Sequence, residues 1–205
     1  SYPALFAATP EDFLKFIRAT EADRRWWYFF NPLDSHIGAF RLLMKARKHH
    51  TSPFDIRYWS TTPFQLGNDG GVVVKYSTQS CSSYDSSLPE NLTENYLSEA
   101  MRAHLEKGPA CFEFMVQRQT NADTMPIEDA SVIWDEKVSP FIKVATLIID
   151  GQDFLDEKVM RHCEYQAFHP WQSLPEHRPL GRMNYVRNRV YGEIIEYRHQ
   201  TNEMR

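Results

Sequence analysis

Cysteine is scarce: Cys81, Cys111 and Cys163 are the three in a chain of 205 residues. An odd count at wide spacing argues against a disulfide framework. It also argues against a cysteine-based zinc site, which uses closely spaced pairs. A reducing, cytoplasmic setting is the matching expectation. No apolar run approaches the roughly 20 residues needed to cross a bilayer, so no membrane span is expected. Ser1-Tyr2-Pro3-Ala4-Leu5-Phe6 lacks a basic stretch leading into an apolar core and is not read as a signal peptide. Positive charge is not in excess: 23 Lys and Arg stand against 27 Asp and Glu, a net charge of -4. That balance gives no electrostatic case for nucleic acid or an anionic membrane surface. Gly70-Gly71 is followed by valines and not by Gly-Lys-Ser/Thr, so it is no phosphate loop. Internal repeats and low-complexity segments are missing.

What is present is apolar and aromatic. The hydrophobic fraction is 42% and the aromatic fraction 14%, enough for a single domain over residues 1–205 with a sizeable core. Residues 1–8 read as a brief strand or an extended entry segment. Thr9-Pro10-Glu11-Asp12 is a helix start, with Thr9 as cap and Pro10 at the first helical position. Phe13, Leu14, Phe16 and Ile17 follow at helical spacing, which by itself means core packing. Trp26-Trp27-Tyr28-Phe29-Phe30 is a packing segment or partner surface, and a basic amphipathic helix is expected from Leu33 to about Lys48. Residues 58–66 are extended. Asn68-Asp69-Gly70-Gly71 is a turn, and Val72–Tyr76 completes a hairpin before a Ser-rich loop over 77–87. A helix is expected over 91–107, closed by Gly108-Pro109. Strands are expected over 110–118 and 141–149, with Trp134 buried and a short helical or irregular segment over 156–163.

The C-terminal stretch is organised differently. Pro175-Glu176-His177-Arg178-Pro179-Leu180-Gly181 cannot be a helix interior, but helical spacing sets in from about Asn184. Val186, Val190, Ile194 and Tyr197 share one stripe; Arg187, Tyr191, Ile195 and Arg198 share the next. One face thus carries a guanidinium, a phenol one turn later, and a second guanidinium two turns further on. A permanent cation beside a phenol favours the phenolate, a hard anionic ligand that suits ferric iron, and Arg198 could pair with a carboxylate at the edge of a macrocycle. An ordinary surface helix carries the same residue types at the same spacing.

Taken together, several segments resemble the haem catalases and their smaller catalase-like relatives. They are Tyr58-Trp59-Ser60, Val74-Lys75-Tyr76-Ser77, Phe114-Met115-Val116-Gln117, Val132-Ile133-Trp134, Ala145-Thr146-Leu147-Ile148-Ile149 and Ala167-Phe168-His169-Pro170. Residues 175–181 look like the compact branch of that family, and Arg187-Asn188-Arg189-Val190-Tyr191 matches its Arg-x-x-x-Tyr motif. The resemblance runs over essentially the whole chain.

It implies an α+β fold: a catalase-like antiparallel β-barrel with surrounding helices, of which this chain supplies the later strands. It implies haem b as cofactor and a small-molecule hydroperoxide as substrate. Tyr191 corresponds to the proximal iron ligand and Arg187 to the arginine that holds its phenolate. Arg198 corresponds to an arginine near a haem propionate, Phe13 to a phenylalanine packed over the haem, and Phe168 and Pro170 to lining residues. For His169 and His177 a structural or exposed role is the better expectation. Ser1-Tyr2-Pro3 resembles the family segment just after the distal asparagine, so the distal histidine and asparagine are expected in an upstream segment and no catalytic residue within this chain. Hydrogen peroxide decomposition is the leading expectation. Rearrangement of fatty-acid hydroperoxides and a non-catalytic haem-binding barrel stay open, as does a homo-oligomer.

Overall fold

The computed structural model describes residues 1–68 and 70–203. Asp69, within the expected turn, lies outside the described residues. The first helix, α1 (Pro10–Glu21), begins as its sequence requires: Thr9 Oγ1 accepts the Asp12 N–H at 3.2 Å and Pro10 occupies the first turn. Its aromatic face packs on α2 (Arg25–Phe30), with Phe16 and Tyr28 rings 5.4 Å apart, and on Phe6, 4.8 Å from Phe16. Residues 1–8 form no strand. They are anchored at two points on one residue: Leu5 N–H donates to Ala130 O and Ala130 N–H donates to Ala8 O, both at 2.9 Å. Helix α3 (Ile37–Ala46) starts later than the charge pattern suggested. Residues 33–36 are held in a turn by Asn31 Oδ1, which accepts the Leu33 N–H, and by Phe29 O, which accepts the His36 N–H.

One antiparallel sheet follows. Strands β1 (Tyr58–Trp59) and β2 (Phe64–Leu66) both pair with β3 (Val72–Ser80), one towards each end, so β2–β3 is the expected hairpin. β3 pairs with β4 (Ala110–Arg118), and β4 with β5 (Ile142–Ile149), with a register irregularity at Phe114/Met115. β3 runs past Tyr76 because Ser77–Ser80 are opposite Met115–Phe112. Cross-strand pairing overrides the polar composition that reads as loop. The α+β class is therefore as expected. Among the described residues the sheet is open, with β1 and β2 along one edge and β5 at the other.

Helix α4 (Tyr96–Lys107) stops at Gly108 and covers one end of the sheet, burying Leu105 with Phe54, Ala110 and Phe112. Trp134 is 2% exposed, as expected, and Lys75 Nζ sits 4.9 Å from its ring centre while donating to Val132 O. β5 is different: Ile142, Val144, Leu147 and Ile148 are each about half exposed, so apolar side chains on both faces of this strand meet solvent. Helix α5 (Glu157–Tyr165) is capped by Asp156, and α6 (Arg182–Glu203) is the long C-terminal helix. No described helix is long and apolar enough to cross a membrane.

The reading of the cysteines is corrected. Cys81 and Cys111 form a disulfide, with Cα atoms 5.0 Å apart, and Cys163 is free and exposed. The two sit one step beyond the Ser80↔Phe112 pair, directly across the ladder. Thirty residues separate them in sequence, so spacing could not reveal a pairing that strand register creates. The disulfide also removes scarcity of cysteine as an argument for a reducing compartment.

Candidate functional site

A break in the sheet edge creates the site. Between β1 and β2 the chain leaves the ladder at Ser60. Its backbone N–H donates to Tyr76 O at 2.9 Å, and its side-chain oxygen accepts the Tyr76 N–H at 3.1 Å. Thr61 then takes φ +60°, a left-handed conformation uncommon for a β-branched residue. Pro63, without an N–H, leaves no ladder donor unpaired. The excursion turns Thr62 and the Pro63 carbonyl away from β3 and towards α6.

The approach to α6 docks on the same edge. Gln65 N–H donates to Arg178 O at 2.9 Å, Leu180 N–H donates to Pro63 O at 3.0 Å, and Phe64 is bridged to Pro179. Gly181 at φ +83° turns the chain into the helix. A Cβ there would lie 3.0 Å from Ile127 O. The Arg182 N–H, unsatisfied within the helix, donates to Glu128 Oε2 at 3.0 Å.

Asn184 is the pin of this junction, with no exposed surface. Its side-chain nitrogen donates to Pro63 O (3.0 Å) and Leu180 O (2.8 Å), and its side-chain oxygen accepts the Thr62 hydroxyl at 3.0 Å. The Trp171 indole donates to Asn184 O at 2.9 Å. One turn further along α6, Arg187 reaches back into the same cluster. Nη1 donates to Thr62 Oγ1 at 3.1 Å and to Asn184 Oδ1 at 3.5 Å. Nη2 donates to Tyr191 OH at 3.3 Å, with the guanidinium carbon 5.4 Å from the Tyr191 ring centre. Among the described residues no carboxylate pairs with Arg187. Its partners are two neutral oxygens and a phenol, so its charge is oriented but not neutralised.

His169 closes the other side. Its ring is 5.9 Å from that of Tyr191, Nδ1 accepts the Trp171 N–H at 3.0 Å, and Nε2 lies 2.9 Å from Asn188 O. Both contacts are satisfied by the neutral tautomer with the proton on Nε2.

The structure therefore brings Arg187 and Tyr191 together, beside the turn that carries Pro170 and His169. Phe168, in that turn, is 73% exposed. Arg198 is engaged elsewhere: Nη2 donates to Glu164 O at 2.9 Å and lies 3.5 Å from Glu164 Oε2, tying α6 to α5. Phe13 packs on Phe6 with ring centres 5.5 Å apart. Sequence reasoning missed Thr62 and Asn184. A weak signal existed for Asn184, a poor helix former three residues before Arg187 and so on its face; Thr62 carried none. Flanking the pair, Val186, Val190, Ile194 and Tyr197 form an apolar stripe between 44% and 69% exposed. No group of three or more His, Cys, Asp or Glu side chains that could hold a metal ion occurs among the described residues.

No protein-family model matches the chain, and no curated protein matches it by sequence. Solved structures do. A fungal catalase superposes with a TM-score of 0.70 at 15% identity, covering 96% of this chain and 43% of that one. A bacterial catalase gives 0.68 at 19%, covering 96% and 42%. Catalase A from Saccharomyces cerevisiae gives 0.70 at 14%, covering 96% and 44%. The chain thus has a catalase-like fold and spans less than half the length of the catalases it matches.

Proposed function

We propose that the chain is the tyrosine-bearing part of a haem b protein that acts on hydroperoxides, with hydrogen peroxide as the first substrate to test. The observation that carries this reading is the Arg187–Tyr191 pair: a phenol in contact with an oriented guanidinium that has no carboxylate partner among the described residues. A cation beside a phenol favours the phenolate that would ligate iron, and a single protein ligand suffices for a haem iron, so a multi-residue metal cluster is not required. The exposed apolar stripe beside the pair supplies the surface that a flat apolar macrocycle would cover.

Within this reading each residue has a defined task. Tyr191 is the iron ligand, and Arg187 stabilises its negative charge. Thr62 and Asn184 fix the guanidinium from the sheet side. The bound haem supplies the redox chemistry at the peroxide bond. The acid–base group that moves a proton between the peroxide oxygens is proposed to come from a segment upstream of Ser1 and not from residues 1–205. Arg198, held on Glu164, would have to exchange that partner for a haem propionate. Phe13, Phe168 and Pro170 are carried as candidate haem-packing residues.

The test is to isolate the full-length protein, quantify haem b per chain and measure oxygen release from hydrogen peroxide. Stoichiometric haem with oxygen release supports the reading. Stoichiometric haem without turnover of hydrogen peroxide or an organic hydroperoxide would reduce it to a haem-binding protein, and failure to take up haem would refute it.

A further inference from the structure

The disulfide lies beside a feature that the proposed haem site does not use. His104 on α4 is 1% exposed and is clasped edge-to-face between Phe54 and Tyr84, with ring centres at 5.2 and 5.0 Å. Neither of its ring nitrogens has a hydrogen-bond partner. A buried polar atom left unpaired costs about 1–3 kcal/mol, and such a group in a native protein calls for a function or an occupant.

The imidazole lines a cavity of about 250 Å³ whose wall also includes Cys81, Ser82, Tyr84, Lys107 and Cys111. Both sulfur-bearing residues of the disulfide therefore share one small space with an unpartnered imidazole. Cys81 is exposed and Cys111 half-buried, so solutes reach the bond from the Cys81 side. Lys107 Nζ sits 4.2 Å from the Tyr84 ring centre, and among the described residues no carboxylate pairs with it. Ser82 accepts the Cys111 N–H at 2.9 Å, holding the start of the following loop against β4.

We propose that this cavity is a thiol-exchange site, taking a small carboxylate-bearing thiol that reacts with the Cys81–Cys111 disulfide. The incoming thiol displaces the Tyr84 ring from His104 and gives its proton to the ring nitrogen thus uncovered. The resulting thiolate attacks Cys81 Sγ: a bond forms between the incoming sulfur and Cys81, the Cys81–Cys111 bond breaks, and Cys111 leaves as thiolate and takes the proton from the imidazolium. A second molecule of thiol attacks the mixed disulfide at the small-molecule sulfur, releasing the small symmetrical disulfide and leaving Cys81 as a thiol. Two thiols are oxidised and one protein disulfide is reduced. Lys107 pairs with the carboxylate of the incoming molecule and, as a nearby cation, favours thiolate over thiol. Cys81 is accordingly the residue that carries the small-molecule adduct.

The experiment uses the full-length oxidised protein, with reduced glutathione as the charged probe and 2-mercaptoethanol as the neutral one. Exchange is followed by free-thiol titration and by intact mass with peptide mapping. The wild type should saturate with glutathione, and the transient adduct should map to Cys81. Lys107→Ala, an exposed position, should raise the half-saturating glutathione concentration about two- to fivefold and leave 2-mercaptoethanol unchanged. His104→Phe keeps an aromatic ring between Phe54 and Tyr84 while deleting two unpaired nitrogens. It should lower the maximal rate at least tenfold while leaving the melting temperature equal or higher, which distinguishes lost chemistry from lost structure. A native-state disulfide that resists glutathione, variants that exchange like wild type, or a Lys107→Ala effect equal for both thiols would overturn the proposal.

Discussion

Replacing Asn184 by Ala tests the junction that holds the candidate site together. The substitution deletes two donor bonds, to Pro63 O and Leu180 O, and the oxygen that accepts from the Thr62 hydroxyl and, weakly at 3.5 Å, from Arg187 Nη1. At about 1 kcal/mol for each buried bond the loss is about 3 kcal/mol. Two features reduce it. Pro63 O keeps the Leu180 N–H, and the Thr62 hydroxyl keeps Ser60 O at 3.3 Å. Alanine is also the better helix former by roughly 0.5 kcal/mol. The expected net effect is about 2–3 kcal/mol, or a fall of roughly 5–10 °C in melting temperature for a chain of this size. Urea denaturation of the full-length protein, with an unchanged m-value, is the assay. Asn184→Asp keeps the oxygen that accepts from Thr62 and Arg187 but sets its other oxygen against two carbonyl oxygens in a fully buried position, so it should also be less stable than wild type. A loss below about 0.5 kcal/mol for Ala, or an Asp variant as stable as wild type, would refute the network as the structural anchor of Arg187.

Three further outcomes follow from particular residues. Burial pushes the Lys75 ammonium from 10.5 down to about 8, partly opposed by Asp129. The folded protein therefore sheds this proton before the unfolded chain does, and the penalty for holding the charge is relieved as pH rises from about 8 towards 10.5. At about 1.36 kcal/mol per pH unit the full span is on the order of 3 kcal/mol. Stability of wild type relative to Lys75→Met should rise with pH above 8, and a pH-independent difference in urea titrations would contradict this. Gly181→Ala places a Cβ at φ +83° and 3.0 Å from Ile127 O, so it should destabilise by about 1–3 kcal/mol in the same assay; a neutral variant would show that the α6 junction relaxes freely. Arg187→Ala removes the bonds to Thr62 and Tyr191, each about 1.5–3 kcal/mol for a charged donor. Haem affinity should fall at least tenfold, with Arg187→Lys recovering only part because lysine lacks the planar fork; full rescue by lysine would count against a bidentate role.

Much of this was legible in the chain. β4 was placed residue for residue, the capped start of α1 follows from Thr9-Pro10, and the Arg187–Tyr191 spacing sets the contact at 3.3 Å. Local rules fix such features. What depended on register or on distant chain segments was hidden. Cys81 and Cys111 meet because β3 and β4 continue one pair beyond Ser80 and Phe112. Thr62 reaches Asn184 and Arg187 across more than 120 positions because the sheet edge breaks at Ser60. β5 has the alternation-free apolar content of a buried strand, yet both its faces meet solvent here. Apolar composition fixes what a strand prefers to bury against and not which segment covers it.

The central claim is that Tyr191 is an iron ligand whose charge Arg187 holds. The direct measurement is titration of the haem-free full-length protein with ferric haem, followed by absorption spectroscopy. Wild type, Tyr191→Phe and Tyr197→Phe are compared, the last removing only a phenol from an exposed tyrosine on the same helix while keeping its ring in the apolar stripe. Wild type and Tyr197→Phe should bind one haem per chain with the same spectrum, characteristic of a phenolate-ligated ferric iron, while Tyr191→Phe should lose that spectrum and bind at least tenfold more weakly. A Tyr191→Phe protein with wild-type spectrum and affinity would contradict the account.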